Sequence, residues 1–154
     1  MIKKILVAID GSKSADRALD FALDLAEKYS AQIVLISVFE PLSASLLVSG
    51  IGLSPSNLSR HLEGLIDFRK KILLEAVKKA RNFKSGLVVS KKLVEGRPSD
   101  KIVETAKEEE CDLIVIGSRG LGGIKEFFLG SVSDRVADQA SCPVLIVKKK
   151  NSSK

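Results

Sequence analysis

The sequence predicts an α/β domain: an open, doubly wound sheet of five parallel strands with four helices packed on its two faces. Two observations carry that expectation. Five short apolar runs rich in β-branched residues punctuate the chain, and segments with helical periodicity fill the intervals between them. Strict alternation of this kind, with short connections, implies right-handed crossovers.

The strands are expected at "ILVAI" (5–9), "IVLISVF" (33–39), "LVV" (87–89, extending toward Val94), "LIVIG" (113–117) and "VLIV" (144–147). Their apolar residues run on rather than alternate, the pattern of strands covered on both faces. The first helix is marked by Ala15, Ala18, Leu19, Ala22, Leu25, Ala26 and Tyr29, with Ser12 or Ser14 as its N-cap. A second, longer helix carries Ile66, Ile72, Leu73, Ala76, Val77 and Ala80. The third opens at Pro98, a residue suited to a first helical turn, and continues through Ile102, Val103 and Ala106. The fourth has Val132, Val136, Ala137 and Ala140, and Pro143 marks its end.

Residues 41–56 break the rule of short connections: Ser, Gly and Pro enclose Leu46, Leu47, Val48, Ile51 and Leu53. A lid, a subunit contact and a loosely ordered surface loop all fit such a segment. The expected organisation is one domain over residues 1–150 and a flexible tail at 151–154.

A chain of 154 residues buries about two thirds of its unfolded surface, enough for a core without covalent staples. Its 45% hydrophobic and 29% charged residues are those of an ordinary soluble protein. No apolar run approaches the ~18 residues that span a bilayer, and residues 1–9 lack a secretory signal pattern, so a cytoplasmic location without membrane contact is expected. Cys111 and Cys142 make no disulfide framework and are expected as reduced, structural thiols; with one histidine, His61, little remains for a zinc site. The net charge of +6 and the ending "KKKNSSK" raise nucleic acid as a partner. The charges are spread along helical faces and no aromatic-rich basic motif accompanies them, which favours a solvated surface instead.

Glycine concentrates in "GSRGLGGIKEFFLG" (117–130), directly after the fourth strand. Ordered glycine is entropically expensive, so a cluster there implies a sharp turn or a close approach of the backbone. In open α/β sheets ligands bind beyond the carboxyl ends of the strands, and a glycine turn leading into a helix N-terminus offers amide donors to phosphate. The segment is not a P-loop, because no Gly-Lys-[Ser/Thr] follows at the required spacing. Nor is it the dinucleotide fingerprint, whose third glycine would fall at Lys125.

What the segment does contain is Gly117, two residues, Gly120, nine residues, then Gly130-Ser131. This G-x2-G-x9-G-[ST] spacing resembles the ATP-binding signature of the universal stress protein family. The resemblance extends over essentially the whole chain, through "ILVAIDGS" (5–12), "IVLISVFE" (33–40), "EGRPSDKIVETAKEEECDLIVIGSRG" (95–120) and "SCPVLIVK" (141–148). It implies an adenine nucleotide alpha hydrolase-like sheet of order 3-2-1-4-5, which would set Asp10 beside Gly117.

By the same resemblance the ligand is an adenine nucleotide: ATP, or ADP or AMP. The backbone of Val38 would border the adenine, Ala8, Ile9 and Asp10 would line its pocket, and Asp10 would reach the ribose. Gly117, Arg119 and Gly120 would follow the ribose and first phosphates, while Gly130, Ser131, Val132 and Ser133 would offer amides and hydroxyls to the phosphate chain. Ser12, Ile116 and Ser118 complete the candidate contacts. Asp10 with Gly11 and Ser12 equally suits a turn that caps the first helix, Ser131 and Ser133 equally suit caps of the fourth, and Arg119 equally suits a solvated position.

A cation such as Mg2+ or Mn2+ bridging the phosphates would find one carboxylate, Asp10, and no general base presents itself. The expected role is a nucleotide-dependent regulatory switch that acts on a protein partner. A slow ATPase and a nucleotide-independent structural dimer are the alternatives. The terminal strand, "VLIV" at 144–147, is expected at an apolar sheet edge, and the resemblance implies a homodimer, since members of the family commonly pair this strand with its copy.

Overall fold

The computed structural model describes residues 1–41, 54–121 and 129–148, and contains the expected sheet with four helices. The strands and helices follow one another as β1 (Lys4–Ala8), α1 (Lys13–Tyr29), β2 (Gln32–Phe39), α2 (Pro55–Phe83), β3 (Val89–Glu95), α3 (Pro98–Glu108), β4 (Leu113–Gly117), α4 (Ser131–Gln139) and β5 (Val144–Val147). All pairings are parallel, in the order β3-β2-β1-β4-β5. The sheet therefore switches direction between β1 and β4, whose chains leave toward opposite edges.

Alternation along each strand sends neighbouring side chains to two separate cores. Ile5, Val7, Ile33, Leu35 and Val115 pack with α1 and α2 on one face, and Leu6, Val34, Ile36, Ile114 and Ile116 pack with α3 and α4 on the other. Coverage of both faces explains the unbroken apolar runs. Cys111, a free thiol, sits in the second core, where burial pushes its pKa up to about 11.

Helix α1 buries a stripe of small residues, Ala15, Ala18, Ala22 and Ala26, with Leu19 and Leu23, and so lies close to the sheet. Two boundaries differ from expectation. Strand β3 begins where the "LVV" run ends, because its positions are set by pairing Ile33 to Val89 through Phe39 to Glu95 rather than by local hydrophobicity. Helix α2 starts at Pro55, capped by Ser54 whose hydroxyl accepts the Asn57 amide at 3.3 Å, so it takes in the end of the segment expected as loop. The rest of the long connection, the interior of the glycine segment and the terminal tail lie outside the described residues.

The two sheet edges are unlike. β3 presents Ser90, Lys91 and Lys92, polar residues that discourage further pairing, whereas β5 presents only half-buried Val144, Leu145, Ile146 and Val147. At 29 residues, α2 spans about 43 Å, more than the sheet it covers. Its buried residues, Leu73, Ala76, Val77 and Ala80, all fall in the second half, while residues 68–72, at its middle, lie over the turn that follows β1.

Candidate functional site

Where β1 and β4 part, the carboxyl end of the sheet opens into a cleft of about 490 Å3. Its apolar part is formed by Ala8, Ile9, Ile36, Val38 and Ile116 from the strands, with Pro98 and Ile102 from α3. Ile9 donates its amide to the carbonyl of Ile36 at 2.8 Å, and β1 then leaves the sheet. Strand alternation turns the amide and carbonyl of Val38 toward the same side as that carbonyl, beyond the end of the β1 pairing.

The turn after β1 is closed from within. Gly11 adopts φ +87°, a conformation that side chains disfavour, and this folds Asp10 back so that its Oδ1 accepts the Ser12 amide at 2.9 Å. Its Oδ2 accepts the Leu121 amide at 3.2 Å, tying the β1 turn to the β4 turn. Ser12 caps α1, its hydroxyl accepting the Ala15 amide at 3.1 Å. Ser12 thus settles the choice of cap between Ser12 and Ser14, and it does not line the cleft.

Neither Gly117, Gly120 nor Gly130 adopts a positive φ; what they supply is room. A Cβ on Gly117 would lie 2.6 Å and 2.7 Å from the backbone carbon and oxygen of Ser14, so this glycine lets the first turn of α1 rest on the end of β4. A Cβ on Gly120 would stand 3.0 Å from Asp10 Oδ2, and one on Gly130 would stand 3.3 Å from the Ser118 carbonyl. The close approach inferred from the sequence is therefore, at Gly117, an approach of protein to protein.

Several amides of the glycine segment already have partners. Ser118 donates to the Val147 carbonyl at 3.0 Å, Arg119 to Ser14 Oγ at 3.3 Å, and Gly130 to the Ser118 carbonyl at 2.7 Å. Ser118 consequently serves as a strut and does not line the cleft. The Ser133 hydroxyl also turns inward, donating to the Gly130 carbonyl at 2.9 Å with the Ser118 carbonyl at 3.3 Å.

The next three amides are different. Gly130 is the N-cap of α4 and provides no side-chain acceptor, and the first intrahelical bond runs from Asp134 to the Gly130 carbonyl. The amides of Ser131, Val132 and Ser133 therefore have no acceptor inside the helix, and all three residues line the cleft. With the dipole of α4 behind them they form a positive, hydrogen-bonding corner opposite the apolar part.

Of the candidate residues read from the sequence, Ala8, Ile9, Asp10, Val38, Ile116, Gly117, Arg119, Gly120, Gly130, Ser131, Val132 and Ser133 line this one cleft. Sequence reasoning missed Ala15, Ile36, Arg69, Pro98, Ile102, Leu121 and Leu129. Ile36 and Ile102 were recognised as apolar positions of their elements and needed only the topology to join the cleft. Arg69 gave no signal, since on a charged helical face nothing local separates it from a solvated residue.

Among the described residues no three His, Cys, Asp or Glu side chains gather as a metal site. None of the described helices is long and apolar enough to cross a membrane.

Residues 1–148 match the family model described as "Universal stress protein family". The chain is 36% identical to universal stress protein YxiE of Bacillus subtilis, covering 96% of this chain and 100% of that protein. Among solved structures it is similar to MJ0577 of Methanocaldococcus jannaschii, with a TM-score of 0.83, 30% identity and 99% of both chains covered. It is also similar to the universal stress protein from Archaeoglobus fulgidus in complex with dAMP, with a TM-score of 0.67, 27% identity, and 96% and 100% of the two chains covered. With its fold, its glycine spacing and these matches in agreement along the whole length, the chain belongs to the universal stress protein family.

Proposed function

We propose that the chain binds an adenine nucleotide, ATP in the first place and ADP or AMP by the same contacts, and that occupancy switches the surface it offers to a regulatory partner. The observation that carries this reading is the set of amides at Ser131, Val132 and Ser133, open toward a cleft whose other end is apolar. A planar base would lie among Ala8, Val38 and Ile102, where the backbone amide and carbonyl of Val38, beyond the end of the β1 pairing, suit the donor and acceptor edge of adenine. Phosphate suits the α4 corner, because amides bind anions without having to displace a side-chain cap. The dAMP complex of the A. fulgidus relative supports the assignment of ligand class.

A switch accounts for the site better than an efficient enzyme. Asp10 is held by two amides rather than poised to take a proton from water, and a divalent ion would rest chiefly on the phosphates it bridges. Asp10 and Leu121 also link the site to the two turns that frame it, so a ligand that moves one moves the other. The apolar β5 edge is the surface proposed for pairing with a second copy, which would continue the sheet across a two-fold axis.

Isothermal titration of the nucleotide-free chain with ATP, AMP and adenosine tests the reading. Saturable binding at one site per chain, with ATP tighter than adenosine, is the expected result, and no heat or dialysis signal from any adenine nucleotide would contradict it. Sedimentation equilibrium should give twice the chain mass; a monomer at high concentration would contradict the pairing of β5.

A further inference from the structure

The middle of α2 brings Arg69 to the cleft, on the side facing the β1 turn. Its placement is fixed by its neighbours: Phe68 Cζ and Ile72 Cγ2 each lie 3.4 Å from where a Cβ on Gly11 would stand. Three buried side-chain polar atoms lack a hydrogen-bond partner among the described residues, Arg17 Nε, Ser37 Oγ and Arg69 Nε. Only Arg69 of these lines the cleft. No ion pair within 4 Å involves it among the described residues.

Burial lowers the pKa of this guanidinium, and the field of Asp10 works the other way. Even so it stays charged at physiological pH, because a guanidinium starts many units above neutrality. A partly desolvated cation with an unpartnered Nε donor is costly unless an anion completes it. Asp10 does not complete it: its two oxygens are turned to the Ser12 and Leu121 amides, and among the described residues no ion pair within 4 Å joins it to Arg69.

We infer that Arg69 is a second anion-binding element of the site, placed to take the phosphates of a nucleotide that the open α4 amides hold from the other side. This rests on the reading of the cleft as a nucleotide site and deepens it: a cation beside Asp10 sets the preference for charge-rich nucleotides over nucleosides. Phosphate accepts the planar fork of arginine in a bidentate manner, which a lysine ammonium does not reproduce. Arg69 lies outside the glycine spacing, so a chain can keep that spacing and lack this contact.

The test is a titration of the full chain and its Arg69→Met and Arg69→Lys variants with ATP and adenosine, with a thermal melt to establish folding. Arg69→Met is expected to weaken ATP roughly 10-fold or more while adenosine stays within about twofold. Arg69→Lys should recover part of the loss. Equal weakening of ATP and adenosine, or unchanged ATP affinity in Arg69→Met, would overturn the inference. If Arg69→Met does not fold, the Arg69→Lys ratio of ATP to adenosine affinity decides by the same criteria. Failure of the unaltered chain to bind any adenine nucleotide would instead remove the functional reading beneath it.

Discussion

Helices α1 and α4 both start at the carboxyl end of the sheet, beside the same cleft, and their first turns are finished in opposite ways. At α1 the N-cap Ser12 fills the Ala15 amide, Asp10 fills the Ser12 amide, and Gly117 lets the turn press onto β4. At α4 the N-cap is a glycine, and the amides of Ser131, Val132 and Ser133, all residues lining the cleft, have no acceptor within the helix. The lesson is that one glycine spacing performs two physical tasks. Its first member closes protein against protein, and its third keeps a helix end open.

The largest effect is expected at the closed junction. Gly117→Ala drives a Cβ into the Ser14 backbone, which has no flexible end to move, and should cost about 3 kcal/mol of stability. For a domain of this size that lowers the melting temperature by roughly 6 to 12 °C. Gly130→Ala meets one carbonyl oxygen at 3.3 Å and should change the melt far less, so equal losses at the two glycines would break the comparison.

Gly130→Asp gives α4 the kind of cap α1 already has. The carboxylate would occupy a first-turn amide and repel phosphate, so ATP affinity should fall roughly 10- to 100-fold while the fold becomes slightly more stable. Titration and a melt on the same sample check both signs, and unchanged ATP binding would count against an open α4 end. Ser12→Ala runs the comparison in reverse: it should cost about 1 kcal/mol in chemical denaturation, from the lost cap of α1, and leave ATP affinity nearly intact.

A smaller effect away from both helix ends provides a reference. Asp112 accepts the backbone amides of Lys3 at 2.7 Å and Lys4 at 3.0 Å, and these bonds hold its pKa below the usual carboxylate range. A carboxyl group lowered on folding stabilises the native state above its unfolded pKa, and the benefit disappears as pH falls through the folded value. The chain should therefore lose stability below about pH 4 in part through this group, and Asp112→Asn should flatten that limb of the stability profile without touching ATP affinity. A limb unchanged in Asp112→Asn would show that the two amide bonds do not matter to folding.

Sequence reasoning reached the architecture because burial on two faces writes itself into the strands as continuous apolar runs. It misjudged β3, where an edge strand with Lys91 and Lys92 carries little hydrophobic signal and the register with β2 decides the boundaries. It identified α1 through its alanine stripe and missed the start of α2, because Pro55 and Ser54 read as readily as loop punctuation as they do as a helix start.

The cleft was legible on the side built from contiguous motifs, 8–10, 116–120 and 130–133, and illegible where α2 contributes. Arg69 reaches the site only because α2 outruns the sheet, a consequence of helix length and tertiary packing that no local spacing records. The division of labour among the glycines was equally hidden, since Gly117 and Gly130 look alike until the neighbour of each missing Cβ is known.

The most direct measurement is a titration of the 15N-labelled chain with ATP, followed by amide chemical shifts. The Ser131, Val132 and Ser133 resonances should move together and saturate, with adenosine shifting them much less. ATP that binds while those three stay still would contradict the central claim, and so would shifts confined to the turn after β1.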